Sequence, residues 1–225
     1  MDKAESWLEK TLKYRFQDAE LFQQALTHRS KSKQNNERLE FLGDAVLDFV
    51  ISNIVYARRP DADEGDLSKL RASLVKDESL GRLALEMGLG EHLLLGSGEL
   101  KTGGHRRESI LADALEAIFG AIFLDRGFAA AEAVITRVYA VRIERLPDAD
   151  DLRDPKTRLQ EWLQARKMPL PDYQLDTING EDHELEFTVS CKVAEHVTSG
   201  DATSRRKAEQ VAAGEMFKLL DGGKE

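Results

Sequence analysis

The hydrophobic period of this chain changes once, and that change constrains the fold more than any other feature. Up to about residue 145, apolar residues recur every three or four positions, the spacing of one face of an α-helix. The clearest runs are LEFLGDAVLDFVISNIVY (39–56), LSKLRASLV (67–75), ESLGRLALEMGL (78–89) and ESILADALEAIFGAIFLDRG (108–127). Asp77 is placed to cap the third run, with Gly88 or Gly90 as its stop, and Gly127 closes the fourth. Between them, GSGELKTGGHRR (96–107) reads as a glycine-rich loop. It lacks the Gly-Lys-Ser/Thr ending of a phosphate-binding loop, which argues against a nucleotide site.

The segment LPDADDLRDP (146–155) has no apolar period, two prolines and a run of aspartates, and it reads as a linker. Beyond it, TRLQEWLQARK (157–167) is a short amphipathic helix. YQLDTING (173–180) and ELEFTVSCKV (184–193) then alternate apolar and polar residues as half-buried strands do. A third strand is expected near 194–202, and SRRKAEQVAAGEMFKLL (204–220) closes as a helix. The expected fold is α+β in two domains: an all-α domain (1–146), a linker (147–153) and a small α-β-β-β-α domain (154–222).

Charge complicates the question of partners. The 225 residues carry 32 Lys+Arg against 41 Asp+Glu, a formal charge of −9. Residues 1–150 hold 21 and 26 of these, and residues 151–225 hold 11 and 15, so neither half is basic. Binding to phosphates usually leaves a basic footprint, so any such role must rest on local clusters. Cys191 is the only cysteine, which excludes an internal disulfide and a thiolate zinc cluster and fits a reducing compartment. The N-terminal MDKAESWLEK lacks a signal-peptide pattern, and no apolar run approaches a spanning helix. The expectation is a cytoplasmic protein without membrane association.

The two most apolar helices each carry a pair of acids. Glu40 and Asp44, four apart, share a face, and Asp113 and Glu116 interrupt an otherwise apolar run. Four carboxylates brought together need a counter-charge, and all-oxygen ligation favours Mg²⁺ or Mn²⁺ over zinc. Such a site can activate water and stabilise charge on a phosphate oxygen. The same spacing also fits a solvated acidic face, with Asp113 and Glu116 paired to Lys101, Arg106 or Arg107. Spacing alone does not show that the two helices meet. Asp48, one turn beyond Asp44, reads as a solvent or capping residue. THRS (27–30), with Asp18 nearby, has no glycine elbow for a nucleophile, and His28 reads as a packing residue.

In the second domain, Arg205, Arg206 and Lys207 crowd the start of the last helix. Cations there oppose the helix dipole, whereas a phosphate would gain from both the side chains and the free N–H groups.

NERLEFLGDAVLDFVI (36–51), DEGDLSKLRASLV and GELKTGGHRRESILADALEAIFGAIFLD, in that order, resemble bacterial ribonuclease III. The domain after them resembles the double-stranded-RNA-binding domain these enzymes carry, and the likeness covers residues 5–222. It implies metal ligation by Glu40, Asp44, Asp113 and Glu116, with Asp44 and Glu116 catalytic. It further implies that Glu37 and Glu64 are secondary acids near the scissile strand, and that Phe41 is a dimer contact. Thr157, Gln160, Gln164, the turn residue His183 and the Arg205–Lys207 cluster match RNA contacts. The implied activity is metal-dependent hydrolysis of double-stranded RNA by a homodimer without a small-molecule cofactor, in ribosomal and messenger RNA processing. The competing expectation is a dimeric duplex-RNA-binding protein with no catalysis.

Overall fold

The computed structural model describes residues 2–147, 154–180 and 185–222. The chain divides into two units, residues 1–149 and 150–225. The sequence-predicted linker falls mostly on residues outside those described, as does His183.

The first unit is helical: α1 (Asp2–Leu12), α2 (Ala19–Ala25), α3 (Glu37–Arg58), α4 (Glu64–Val75), α5 (Asp77–Glu86), α6 (Ser97–Lys101), α7 (Glu108–Arg126) and α8 (Phe128–Glu144). Two points depart from the sequence reading. The stretch 96–107 is not open loop, because it winds into α6 and a short 3₁₀ turn at Gly104–Arg106. Glycine-rich composition masks helical turns this short, whose geometry comes from tertiary packing. Asp77 is the first residue of α5 and not its cap; Lys76 holds the cap position without a side-chain hydrogen bond.

Helix α7 is the axis of this unit. From Ile110 to Ile122 every residue is buried except Asp113 and Glu116, which are half-buried. A helix apolar on every side must be surrounded, and α3, α5, α8 and α2 all pack on it. The α3–α7 contact is the most extensive of these and depends on two glycines. A Cβ at Gly43 would lie 1.8 Å from the Glu116 carbonyl oxygen, and one at Gly120 would lie 2.2 Å from that of Leu39. No larger residue permits that approach, and it brings the Glu40–Asp44 turn alongside the Asp113–Glu116 turn. Gly127, at φ +77°, ends α7.

The second unit runs α9 (Pro155–Ala165), β1 (Asp172–Asn179), β2 (Glu186–Val193), β3 (His196–Ala202) and α10 (Arg205–Asp221). Asp154 caps α9 by accepting from the Lys156 and Thr157 amides, with Pro155 at the first helical position. The strands form one antiparallel sheet in the order β1-β2-β3. Val189 is buried, and Cys191 and Val193 point inward against Leu159, Leu163, Ala212 and Met216 of the helices. The lone cysteine is therefore a buried packing residue. The fold is an all-α unit followed by a small α-β-β-β-α unit.

Candidate active site

The α3–α7 crossing places Glu40 of α3 and Asp113 of α7 on one cleft of about 320 Å³, edged also by His28, Arg29, Glu37 and Arg107. Glu40, Asp113 and Glu116 each offer an oxygen, and these oxygens lie within 4.8 Å of one another. Asp44, more exposed, stands outside that tight set yet is the neighbouring charge that acts most strongly on Glu116. Neither Asp113 nor Glu116 forms an ion pair among the described residues, which removes the alternative of pairing with nearby bases. Arg107 is engaged instead by Glu99 at 2.7 Å.

Burial and mutual repulsion raise every member of the cluster. Burial pushes Glu116 up to about 8, with Asp44, Glu40, Asp113 and Asp77 adding repulsion in that order. Glu40 is raised by burial and then by Asp113 and Glu37, against an opposing pull from Arg29. Asp113 is raised by burial and Asp77, with His28 and Arg29 opposing. Asp44 is raised by burial, then by Asp48 and Asp77. Four carboxylates raised in this way titrate as a coupled system, and a cation among them would offset their mutual repulsion. Three converging hard oxygens beside a fourth carboxylate suit Mg²⁺ or Mn²⁺.

Around this centre the fates of the other expected residues differ. Glu37 sits on the lip of the cleft, where Asn35 donates to it at 3.0 Å and Arg29 pairs with it at 3.5 Å. Glu64 does not join the cluster. It opens α4, accepts from the Ser68 hydroxyl at 3.0 Å, and lines a different cleft with Phe49, Tyr56 and Arg71. Asp48 lies mid-helix and half-buried, so it caps nothing; its charge bears on Asp44. Phe41, beside Glu40, is 80% exposed and packs in no core of its own unit. Sequence reasoning missed Arg29, Glu99 and Asp77 as neighbours of the acids, because all three arrive from elements other than α3 and α7's acidic turns.

In the second unit Thr157, Gln160 and Gln164 are exposed at helical spacing along α9. Ser204 caps α10 by accepting from the Lys207 amide at 3.3 Å. Arg205 is drawn to Glu209 at 3.0 Å, whereas Arg206 and Lys207 have no ion-pair partner among the described residues.

Residues 18–143 match the Ribonuclease-III-like family, and residues 155–220 match the double-stranded RNA binding motif. The chain belongs to the ribonuclease III family. Over 216 residues it is 51% identical to a protein named Ribonuclease 3 from Shewanella denitrificans, covering 95% of this chain and 96% of that one. A Ribonuclease 3 from Photorhabdus laumondii matches at the same identity and coverage. Among solved structures, the nuclease domain of ribonuclease III from Campylobacter jejuni is 47% identical, with a TM-score of 0.58, over 62% of this chain and 93% of that one. A second structure of that domain, with the same identity and TM-score, covers 62% of this chain and 96% of that one and describes flexibility in a region involved in dimer formation. Membership makes the chain a nuclease. None of its described helices is long and apolar enough to cross a membrane.

Proposed function

We propose that the chain is an endoribonuclease that hydrolyses phosphodiester bonds of double-stranded RNA, leaving 5′-phosphate and 3′-hydroxyl ends. The observation that carries this reading is the convergence of Glu40, Asp113 and Glu116 oxygens within 4.8 Å, with Asp44 beside them. These four residues would hold Mg²⁺, with Mn²⁺ as a substitute. A divalent ion bound there supplies the missing counter-charge, activates water and stabilises charge on a phosphate oxygen. The chain contributes deprotonated carboxylates at fixed positions, which is the role assigned to Asp44 and Glu116 above all. Glu37, gripped by Asn35 and Arg29, lines the path of the scissile strand, and Glu64 serves it from its separate cleft.

The second unit holds the duplex. The narrow major groove of double-stranded RNA excludes side chains, so recognition falls on 2′-hydroxyls and phosphates. Thr157, Gln160 and Gln164 meet one minor groove, and His183 meets a second. Arg205, Arg206 and Lys207, at a helix N-terminus, take the phosphates between. The enzyme acts as a homodimer through a face that includes Phe41, one site per subunit cutting one strand. In the cell it processes ribosomal RNA precursors and some messenger RNAs in the cytoplasm.

The test is cleavage of a long end-labelled RNA duplex by wild type and Glu116→Ala, each with Mg²⁺ and with EDTA. The expected result is 5′-phosphate products from the wild type with Mg²⁺ alone. Retarded but uncut duplex with both proteins would replace the nuclease with a binding-only protein.

A further inference from the structure

His28 lies at the edge of the acidic cleft with its backbone anchored from two sides. Thr27 bridges to Leu94, and the His28 amide donates to the Leu94 carbonyl at 3.1 Å. The residue is only 9% exposed, so its ring is held and not free to swing. The partner of its Nδ1 is Ser30 in two ways. The Ser30 backbone N–H donates to Nδ1 at 3.2 Å, and the Ser30 hydroxyl stands 2.8 Å from the same nitrogen. That hydroxyl already accepts from the Gly96 amide at 2.9 Å, which leaves its proton to give.

A backbone N–H can only donate. The nitrogen that receives it must therefore offer a lone pair, and the neutral ring must carry its proton on Nε2. The hydrogen-bond pattern thus selects one tautomer. No described residue accepts from Nε2, although the cleft it borders is lined by carboxylates. An N–H donor without an acceptor among the described residues, on a side chain that lines a cleft able to admit a phosphodiester, is suited to an oxygen of that phosphate.

We propose that His28 donates its Nε2–H to a non-bridging oxygen of the phosphate hydrolysed in this cleft, with Ser30 as the positioning residue that fixes the tautomer. The inference rests on reading the cleft as the cleavage site.

The experiment uses the full chain and the two amides that each mimic one half of the ring. In His28→Asn the side-chain oxygen replaces Nδ1 and still receives the Ser30 donors, but nothing stands at Nε2. In His28→Gln the amide nitrogen reaches the Nε2 position and the Ser30 partner is lost. Steady-state cleavage of a duplex with Mg²⁺ gives kcat and KM, and melting temperatures report folding. Imidazole ¹⁵N spectra of the wild type report the tautomer. The expected result is a fall in kcat on the order of 100-fold for His28→Asn and His28→Ala, with KM and melting temperature near wild type. His28→Gln recovers at least part of that loss, and the wild-type spectrum shows protonated Nε2. A wild-type rate in His28→Asn, no advantage of Gln over Ala, or a proton on Nδ1 would each overturn the proposal. Should His28→Gln fail to fold, the Asn rate and the tautomer still decide. Failure of the cleavage-site reading itself looks different, because Glu116→Ala would then cut as well as the wild type whatever His28 does.

Discussion

Glu116 shows how a single side chain links this site to the stability of the whole unit. Its folded pKa, about 8, stands above the ordinary value of 4.5. Between those limits the folded chain keeps a proton that the unfolded chain has released, so this group's contribution is lost as pH rises through that window. The metal-free protein should therefore lose melting temperature as pH rises from 4.5 to about 8, and Glu116→Gln should flatten that slope. Mn²⁺ should raise the melting temperature more at pH 8.5 than at pH 6, because its ligands must be deprotonated. Equal slopes for both proteins in calorimetry would refute the assignment. Asp125 is the opposite case. Burial works to raise its carboxyl, but donation from the Tyr14 hydroxyl (2.6 Å) and the Asp18 and Gln17 amides, with the Arg126 charge, outweighs burial and holds it low. The stabilisation it gives is present above its unfolded pKa and fades as pH falls through the folded one. Asp125→Asn should cost about 1–3 kcal/mol at pH 7 in urea titrations and leave a chain less sensitive to acid. This clamp was illegible in the sequence, because its hydrogen-bond donors lie more than 100 positions away.

At the scale of elements, α3 and α7 were legible because their apolar spacing is long and regular, and so were the acids that interrupt them. What spacing could not state is that the two helices touch at those acids. The signal was present all the same: Gly43 lies between Glu40 and Asp44, and Gly120 lies one turn after Glu116. A glycine inside a helix costs about 1 kcal/mol against alanine, so two in the most buried helices imply a close crossing. Gly43→Ala should invert the usual gain of that exchange. The added methyl meets backbone and cannot be relieved by a rotamer change, so destabilisation of about 1–3 kcal/mol or more is expected, with weakened Mn²⁺ binding. Gly98→Ala is the control, since a Cβ there meets nothing within 4 Å; it should be neutral or stabilising by up to about 1 kcal/mol. Melting temperatures and Mn²⁺ titration of the pair check both statements, and similar behaviour of the two variants would remove the crossing argument. The strands and the last helix were read to within about two residues. The stretch 96–107 was misread because its turns are held by contacts such as Arg107–Glu99 and not by a pattern of their own.

At the scale of the whole molecule, net charge and function point in different directions, and locality resolves the conflict. A chain at −9 repels RNA as a body, while Arg206 and Lys207, at a helix start, have no ion-pair partner among the described residues. Binding of duplex RNA to the full chain should therefore fall steeply with salt, and Arg206→Ala with Lys207→Ala should lower the slope of log K against log salt by about 2. An unchanged slope in gel-shift titrations would place the phosphates elsewhere. The helical unit poses the matching question on its apolar side. Phe41, Phe49 and Tyr56 stand 80%, 62% and 70% exposed along α3, and Phe49 meets Phe128 edge-on with ring centroids 5.4 Å apart. Three large aromatics along one helix are costly to leave in water, and a contiguous apolar surface of this kind marks an interface. A second copy suits it, because a two-fold pair presents the same patch from both sides and matches the two-fold symmetry of an antiparallel duplex. Sedimentation of the wild type should give a dimer of about twice the 25.2 kDa chain mass. Phe41→Ala with Phe49→Glu should shift it toward monomer, while Glu116→Gln should leave it unchanged. If the wild type sediments as a monomer at micromolar concentration, the patch has another occupant, and each chain would have to reach both strands from a single cleft.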